Sequence, residues 1–419
     1  MNRSLAALAF GNFVVGTGTL IVPGMLPHLA ESLGVSLPVA GQLITAFAVT
    51  ICVAAPLLAG ATSRYDRRAL LVAMQLILLF GHLGAALVSS FMPMLGVRIV
   101  TAIGAALFTA QAAATAALLV PPPERGRAIA FVFLGWSVSG VLGLPLGSYI
   151  GATFGWRAGF GLVAALAAIG AAAVWSALPG GLKVRPVDGA MWRAILGNAS
   201  LLSVVAVTAL MAAASFALFA YFVPAAHAFI DASPHEVSLL YATLGVTAIV
   251  GNTLAARFMD RAGAGRVVVW GLAAVLAGHL LWPWSAGHPA LLAAAVAIWG
   301  LGHIAGLSAQ QARLAALAPA YAPASIALNS SATYLGQAIG TAIAGVIIAN
   351  LSGAAAYASL ALLSVPLLIA AIGLSLLVSL RARVAGATSR MSKVLPAPHQ
   401  GTSASERCDH FAPEPHRRP

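Results

Sequence analysis

The sequence contains little charge and almost no cysteine, and each shortage excludes a class of protein. Only 22 Lys or Arg and 10 Asp or Glu occur among 419 residues, so charged residues make up 8% of the chain. Soluble domains carry about 25% charged residues, because charge is needed to cover a surface in water. A soluble enzyme is therefore excluded. The two cysteines, Cys52 and Cys408, lie in an apolar run and near the C-terminus, so no disulfide framework is expected.

Motifs for nucleotide, nucleophile or metal chemistry are also missing. The sequence has no Walker loop and no nucleophile elbow. We therefore expect no cofactor, no metal site and no enzymatic activity. The net charge of +12 does not indicate nucleic-acid binding. A groove-binding protein clusters its basic residues on one face, whereas here they lie in short runs between long apolar stretches.

Long hydrophobic runs dominate the sequence, which is 60% hydrophobic. A helix that spans a bilayer needs about 20 mostly apolar residues, and backbone groups in lipid must be paired within the helix. Twelve runs meet this length, which predicts an all-α membrane protein with twelve transmembrane helices. The runs cover approximately residues 5–28, 37–61, 69–91, 93–120, 128–153, 158–178, 198–224, 237–256, 267–286, 288–316, 325–350 and 355–380.

The placement of the basic residues predicts the topology. Twenty of the 22 Lys and Arg residues fall on one side of the membrane if both termini lie on that side. Arg157 is in a loop on the other side, and Arg98 lies within the fourth run. Because Lys and Arg accumulate in cytoplasmic loops, we predict that both termini are cytoplasmic.

An internal repeat relates the two halves of the chain. An offset of 197 residues aligns Gly81-His82-Leu83 with Gly278-His279-Leu280 and the glycine-rich fifth run with the eleventh. Parallel repeats of six helices with a ligand site between them are typical of transporters. We therefore predict two pseudo-symmetric six-helix bundles. Their bounds are 1–178 for the N-terminal bundle, 179–197 for a cytoplasmic linker, 198–380 for the C-terminal bundle and 381–419 for a disordered cytoplasmic tail.

Two loops carry a resemblance to a known family. The second-half segment from Ala256 to Arg266 reads Ala-Arg-Phe-Met-Asp-Arg-Ala-Gly-Ala-Gly-Arg and resembles the G-x-x-x-D-R-x-G-R-R loop of the major facilitator superfamily. The nearest branch is the drug:proton antiporter and arabinose-efflux-permease-like group, and the resemblance covers about residues 5–380. In the first-half copy, Ser63 stands where the family has its acid. The resemblance implies gating loops that latch the bundles in one state; the alternative is ordinary positive-inside loops. The implied gating residues are Gly60, Asp66, Arg67, Arg68, Asp260, Arg261 and Gly263.

The fifth run is similar to the antiporter motif of this family, G-x-x-x-G-P-x-x-G-G, in a shifted form. The matching residues are Gly140, Gly143, Pro145 and Gly147. Glycines four residues apart permit close approach of a neighbouring helix, and the proline permits a kink. The alternative interpretation is ordinary close packing in a membrane helix.

Polar and aromatic residues within the runs are candidates for a substrate cavity. Arg98 is the only charged residue deep in a run and matches the arginine of the fourth-helix motif of the family, although it could instead snorkel to the headgroups. Each of the other polar residues could instead make a contact between helices. The predicted cavity residues are Asn12, Arg98, Gln111, Trp136, His303 and Tyr334.

Proton coupling is implied by the resemblance, but the sequence has no obvious carboxylate for it. All ten acidic residues lie in loops, at helix ends or in the tail, and Thr19 stands where the family often has a glutamate. An embedded carboxylate is the usual proton carrier, and histidine is the next candidate. We therefore hypothesise that His303 helps to carry the proton.

The resemblance implies a secondary active transporter of the bacterial inner membrane. We expect it to export small organic molecules or drugs by alternating access, with proton antiport. Its partners are then the substrate, protons and the lipid bilayer, and we expect a monomer that binds no nucleic acid. One alternative is a facilitator or importer of a sugar or nucleoside without obligatory proton coupling. The other is a polytopic membrane enzyme.

Overall fold

The computed structural model describes residues 3–62, 64–121, 124–183, 193, 195–318 and 322–394. All regular secondary structure in these ranges is helical, and twelve helical segments are long and apolar enough to cross a membrane. The predicted all-α membrane fold is thereby confirmed. Its physical basis is that a helix satisfies its own backbone hydrogen bonds within lipid.

The helices follow the predicted runs closely. In chain order they are α1 (Arg3–Ser32), α2 (Leu37–Ala61), α3 (Arg67–Leu87), α4 (Phe91–Leu118), α5 (Arg125–Val138), α6 (Leu144–Phe154), α7 (Trp156–Ala177), α8 (Ala199–Phe219), α9 (Phe222–Ile230), α10 (Pro234–Ala262), α11 (Ala264–Leu281), α12 (Pro289–Leu317), α13 (Ala322–Ala349), α14 (Gly353–Ala358) and α15 (Leu360–Val394). A π turn at Ser139–Gly143 joins α5 to α6, and a 3-10 turn at Trp282–Ser285 follows α11.

The C-terminal end differs in one respect from the prediction. Helix α15 continues to Val394, although the sequence predicted that the last run ends at 380 and that a disordered tail follows. The remainder of that predicted tail, 395–419, lies outside the described residues.

The helices repeat with the offset found in the sequence. An interval of 197 residues separates the first residues of α2 and α10, of α3 and α11, and of α7 and α14. The same interval separates the first residues of α5 and α13. The repeated sequence therefore folds into a repeated set of helices.

A ladder of glycines lets the fifth span pack tightly on α1. At three successive turns, a Cβ atom added to the glycine would meet a side chain of α1, so glycine favours this close approach. Ser148 Oγ also donates a hydrogen bond of 3.0 Å to the carbonyl oxygen of Gly24. The facing pairs are Gly143 with Thr17, Gly147 with Ile21, and Gly151 with Met25.

The irregularity that the sequence predicted at Pro145 is a π turn that ends at Gly143. Proline lacks an N–H, so a helix loses one backbone hydrogen bond at this position, and a π turn is one way to absorb the change. The carbonyl oxygen of Pro145 lies 3.3 Å from Ser238 Oγ of α10, a hydroxyl that also has the carbonyl oxygen of Pro234 at 2.9 Å. This irregular turn is thus one of the places where the two halves of the chain meet.

The two halves contact each other through several pairs of elements. Helix α2 packs along α13, α6 and the π turn pack against α10, and α1 contacts α9. As a result, Met1–Val378 form one compact unit. The division into bundles at 1–178 and 198–380 with a linker at 179–197 stays a prediction from the sequence.

We predict that Gly135→Ala destabilises the protein, because Gly135 of α5 lies directly against the backbone of α1. The new Cβ would overlap the carbonyl oxygen of Ala9 and lie 2.8 Å from the backbone nitrogen of Phe13. Overpacking of this kind costs about 1–3 kcal/mol. Thermal unfolding of the purified protein in detergent should show a lower midpoint.

Gly126→Ala on the same helix is the matched control, because nothing lies within 4 Å of its Cβ position. Its midpoint should stay unchanged or rise slightly, since alanine favours a helix over glycine by about 1 kcal/mol. Equal midpoints for the two variants would contradict the close approach of α1 and α5.

Candidate functional site

A cavity of about 180 Å³ lies between the two halves of the chain. Helices α1, α5 and α6 and the π turn form its first-half wall, and α8, α10, α12 and α13 form its second-half wall. Because both halves contribute, any relative movement of the halves would change its shape. A site between two repeats is where transporters of repeated helices bind their ligands.

Aromatic rings cover much of the cavity wall. Trp136 comes from the first half, and Phe216, Phe219, Trp299 and Tyr334 come from the second. Phe219 lies edge-on to Phe216 and to Trp299, with ring centroids 5.3 Å and 6.3 Å apart. Edge-to-face packing holds such rings in fixed orientations, so the wall is a preformed apolar surface.

Several polar groups at the cavity already have partners within the protein. Thr19 Oγ1 donates to the carbonyl oxygen of Val15 at 2.8 Å, and Trp136 Nε1 donates to Thr109 Oγ1 at 3.3 Å. Thr333 Oγ1 bonds in the same way to the carbonyl oxygen four residues earlier on α13. These groups are not free to bind a ligand without losing their present bond.

Four other polar side chains of the lining have no hydrogen-bond partner among the described residues. Ser137 lies on the first-half wall, and Trp299, Tyr334 and Gln337 lie on the second-half wall. Gln337 is only 2% exposed, and Trp299 Nε1 is fully buried. A polar group that is buried without a partner is costly, which applies here to Trp299 Nε1. The hydroxyls of Ser137 and Tyr334 and the amide of Gln337 are able to hydrogen-bond a molecule in the cavity.

His303 of α12, one of the six predicted cavity residues, also lines the cavity. Its Nδ1 lies 3.3 Å from Ser215 Oγ of α8, and its ring lies edge-on to Trp299 with centroids 6.5 Å apart. None of the side chains that line the cavity in the described part of the chain is Asp, Glu, Lys or Arg. His303 is thus the titratable imidazole of an otherwise uncharged, mostly apolar cavity.

Three of the six predicted cavity residues, Trp136, His303 and Tyr334, line this cavity, and the antiporter-like residue Gly140 does too. Asn12 and Gln111 lie elsewhere. Asn12 is fully buried, and its Nδ2 donates to the carbonyl oxygen of Val132 at 3.1 Å, which ties α1 to α5.

Gln111 accepts a hydrogen bond from the guanidinium of Arg67. Its amide therefore connects α4 to the start of α3 rather than facing a ligand. Both Asn12 and Gln111 thus correspond to the alternative that the sequence left open, a contact between helices.

Arg98 does not line the cavity, and it is buried rather than exposed at the surface of the protein. It is 1% exposed, and a terminal nitrogen of its guanidinium donates to the carbonyl oxygen of Gly18 at 3.2 Å. The guanidinium carbon lies 4.1 Å from the centroid of the Phe47 ring. An aromatic face attracts a cation, so α1 and α2 together hold this charge inside the first half.

The first-half loop, which the sequence predicted to be a gating loop, makes local contacts. Asp66 caps α3, since one carboxylate oxygen accepts from the backbone nitrogen of Ala69 at 3.0 Å. The other oxygen accepts from the backbone nitrogen of Gly181, and the backbone nitrogen of Arg67 donates to the carbonyl oxygen of Leu182 at 2.9 Å. The loop therefore binds the segment that follows α7, a role that the sequence did not predict.

The remaining predicted gating residues fall at helix ends. The Arg68 guanidinium stacks on Trp175 with 3.9 Å between the carbon and the ring centroid. Gly263 has a φ of 82° and separates α10 from α11, a backbone shape that favours glycine. Arg261 is exposed in the last turn of α10, and Gly60 belongs to the last turn of α2. The side chain of Asp260 and the whole of Ser63 lie outside the described residues.

Sequence reasoning missed most of the aromatic wall. Phe216, Phe219 and Trp299 are apolar residues in apolar helices, so composition gives no reason to select them. One usable signal was spacing, because Trp299 precedes His303 by four residues and therefore shares its helix face. Gln337 follows Tyr334 by three residues, which likewise places the two on one face of α13.

The sequence profile of the Major Facilitator Superfamily matches residues 8–229 and 205–401. The inner membrane transport protein YdhP of Escherichia coli (strain K12) is 31% identical over 349 residues, which are 83% of this chain and 89% of that protein. A chloramphenicol resistance protein of Streptomyces lividans is 34% identical over 275 residues, or 65% of this chain and 70% of that protein.

Solved structures share the fold at low sequence identity. A bacterial homolog of the human lysosomal transporter Spinster, in an inward-facing and occupied conformation, has a TM-score of 0.72 and 18% identity, and covers 90% of this chain and 96% of its own. A D-xylose-proton symporter has a TM-score of 0.71 and 17% identity, with 89% and 96% covered. With the profile matching most of the sequence and twelve membrane-spanning helices in the described part, the chain belongs to the major facilitator superfamily.

Proposed function

We propose that this transporter exports small organic molecules across the inner membrane by alternating access, coupled to proton antiport. The observation that carries the proposal is the aromatic, uncharged cavity that both halves enclose. Such a surface suits compounds that are themselves largely apolar. Alternating access requires that the two halves rock about this cavity and expose it to each side in turn.

Two observations support the proposed location in the inner membrane. The relative YdhP is named an inner membrane transport protein, and a second relative is named a chloramphenicol resistance protein. The distribution of basic residues adds that both termini are cytoplasmic. The protein acts as a monomer in this proposal, because a single chain supplies both walls of the cavity.

A sugar or nucleoside substrate is the weaker proposal. A sugar presents hydroxyl groups around its whole ring, and a site that binds it needs several polar partners. The cavity offers few unpaired polar groups, and most of its lining is hydrocarbon. The likeness to the D-xylose-proton symporter concerns the fold alone.

We predict that the chain lowers the susceptibility of an efflux-deficient bacterial host to apolar antibiotics, chloramphenicol among them. A protonophore should abolish the effect, because antiport uses the proton gradient. Growth inhibition across a panel of antibiotics, with and without the protonophore, measures this. Unchanged susceptibility across the panel would count against drug export.

Ala248→Trp supplies an inactive control for that experiment, since the large ring would fill the cavity that Ala248 lines. Val250→Trp on the same helix is its matched partner, because Val250 is 45% exposed on the outer surface of the bundle and is not part of the lining. Export should be lost in the first variant and kept in the second. Equal export by the two variants would show that transport does not use this cavity.

Tyr221, which lies between α8 and α9 and is not part of the cavity lining, contacts both halves of the chain. Its hydroxyl donates to the carbonyl oxygen of Thr341 at 3.4 Å. The same hydroxyl lies where a Cβ on Gly41 of α2 or on Gly345 of α13 would be. Gly41 belongs to the first half and Tyr221 to the second. The Tyr221 phenol therefore joins the two halves at a seam that Gly41 and Gly345 line.

We predict that Gly41→Ala slows transport, because its Cβ would overlap the Tyr221 hydroxyl and keep this seam from closing. Adding Tyr221→Phe should restore part of the rate, since it removes the overlapping oxygen. Initial rates of efflux from loaded vesicles give the comparison, with Gly96→Ala, which meets nothing within 4 Å, as the control. A Gly41→Ala rate equal to that of the control would mean that this seam does not need to close.

His303 is the proposed proton carrier, because it is the one imidazole of the cavity lining among the described residues and contacts Ser215 of the same wall. We predict that His303→Ala loses uptake driven by an imposed pH gradient in inverted vesicles while keeping substrate exchange without a gradient. His288→Ala, at an exposed position before α12, is the control. Undiminished proton-driven uptake by His303→Ala would remove His303 from this role.

A further inference from the structure

Two polar side chains that line the cavity lie next to each other on α13. Tyr334 and Gln337 are three residues apart on α13, both line the cavity, and neither has a hydrogen-bond partner among the described residues. Gln337 is almost completely buried, with an exposed fraction of 2%. Its amide can both donate and accept, and a phenol can do the same. One edge of an apolar cavity therefore presents two adjacent groups of mixed hydrogen-bonding character.

The remaining lining defines what can lie beside that edge. Trp136 faces from the first half, while Phe216, Phe219 and Trp299 face from the second. A cavity of about 150 Å³ lined by apolar side chains is enough to bind benzene in another protein. The present volume of about 180 Å³ therefore accommodates one aromatic ring with a small substituent.

The charge of the ligand follows from the same lining. No Asp, Glu, Lys or Arg lines the cavity in the described residues. Moving an ion from water into an apolar site is strongly unfavourable unless an opposite charge compensates it. An uncharged ring loses little on entry, whereas a cation of the same shape loses its hydration without gaining a partner.

We infer that Tyr334 and Gln337 form the polar subsite of the transporter, and that it selects uncharged single-ring aromatic compounds carrying an amide, carbonyl or hydroxyl group. The aromatic walls take the ring, and the α13 edge takes the polar substituent. This inference rests on the proposed function, since it names the substrate class of the same cavity. It makes Gln337 a residue that determines specificity.

Benzamide and the benzamidinium cation are the probes for this subsite. They have nearly the same shape, but the first is neutral and the second is charged. Binding to the purified protein in lipid nanodiscs is followed by quenching of tryptophan emission, because Trp136 and Trp299 line the cavity. The wild-type protein should bind benzamide at least about tenfold more tightly than benzamidinium, a difference of about 1.4 kcal/mol or more.

Three variants separate recognition from folding. Gln337→Leu should weaken benzamide about tenfold but leave ethylbenzene, which has no hydrogen-bonding group, unchanged or tighter. Gln337→Glu should reverse the preference toward benzamidinium, because it introduces the missing opposite charge. Gln42→Leu, at an exposed position on α2, should change none of these affinities. Thermal unfolding of each variant checks that it is folded.

Several results would overturn the inference. These are a wild-type protein that binds benzamide no more tightly than benzamidinium, no binding of benzamide at all, or a Gln337→Leu variant that weakens ethylbenzene as much as benzamide. Binding is measured without transport, so the two proposals fail separately. Correct binding without efflux would refute export alone, and efflux of neutral aromatics that is indifferent to Gln337 would refute the subsite alone.

Discussion

Every polar group inside the membrane must find its partner within the protein, and this constraint shapes the structure. Hydroxyls bond to carbonyl oxygens four residues earlier on their own helix, as Thr17 does at 2.8 Å. Buried amides reach neighbouring helices, as Gln75 and Gln310 do at 3.2 Å and 2.9 Å. Water is not available to satisfy what remains. Several buried groups nevertheless lack a partner, among them the Tyr241 hydroxyl away from the cavity and Trp299 Nε1 in a residue that lines it. Only groups at the cavity can gain a partner from a ligand.

Close packing of backbones determines where that cavity lies. Glycines of α5 and α6 bring the fifth span against α1, and the π turn before Pro145 brings the same span to α10 of the other half. One irregular element thus contacts both halves and also contributes Gly140 to the cavity wall. The antiporter-like motif is therefore at once a packing surface and part of the site. A change in its geometry would reach the cavity directly, which is what coupling between halves requires.

The sequence predicted the helices better than it predicted the site. Apolar length and the internal repeat identified the spans, because these are properties of composition along the chain. A polar residue within a span, however, can pair with a helix, hold a charge inside one bundle or face a cavity. Asn12, Arg98 and Trp136 show the three outcomes. No local pattern distinguishes them, since the difference depends on which neighbour the helix rotates toward.

The sequence by itself determined that this is a polytopic helical membrane protein, because 8% charge and twelve apolar runs permit no other solution in water or lipid. Through its internal repeat, the sequence also determined that the helices of the second half correspond to those of the first. Only the tertiary structure decided which polar groups stay unpaired, because pairing is a relation between helices far apart in the chain. Gln310 and Gln337 are both buried glutamines in the second half, yet one is bound to the backbone of α8 and the other faces the cavity. That difference in surroundings, rather than in residue type, separates a packing residue from a candidate for recognition.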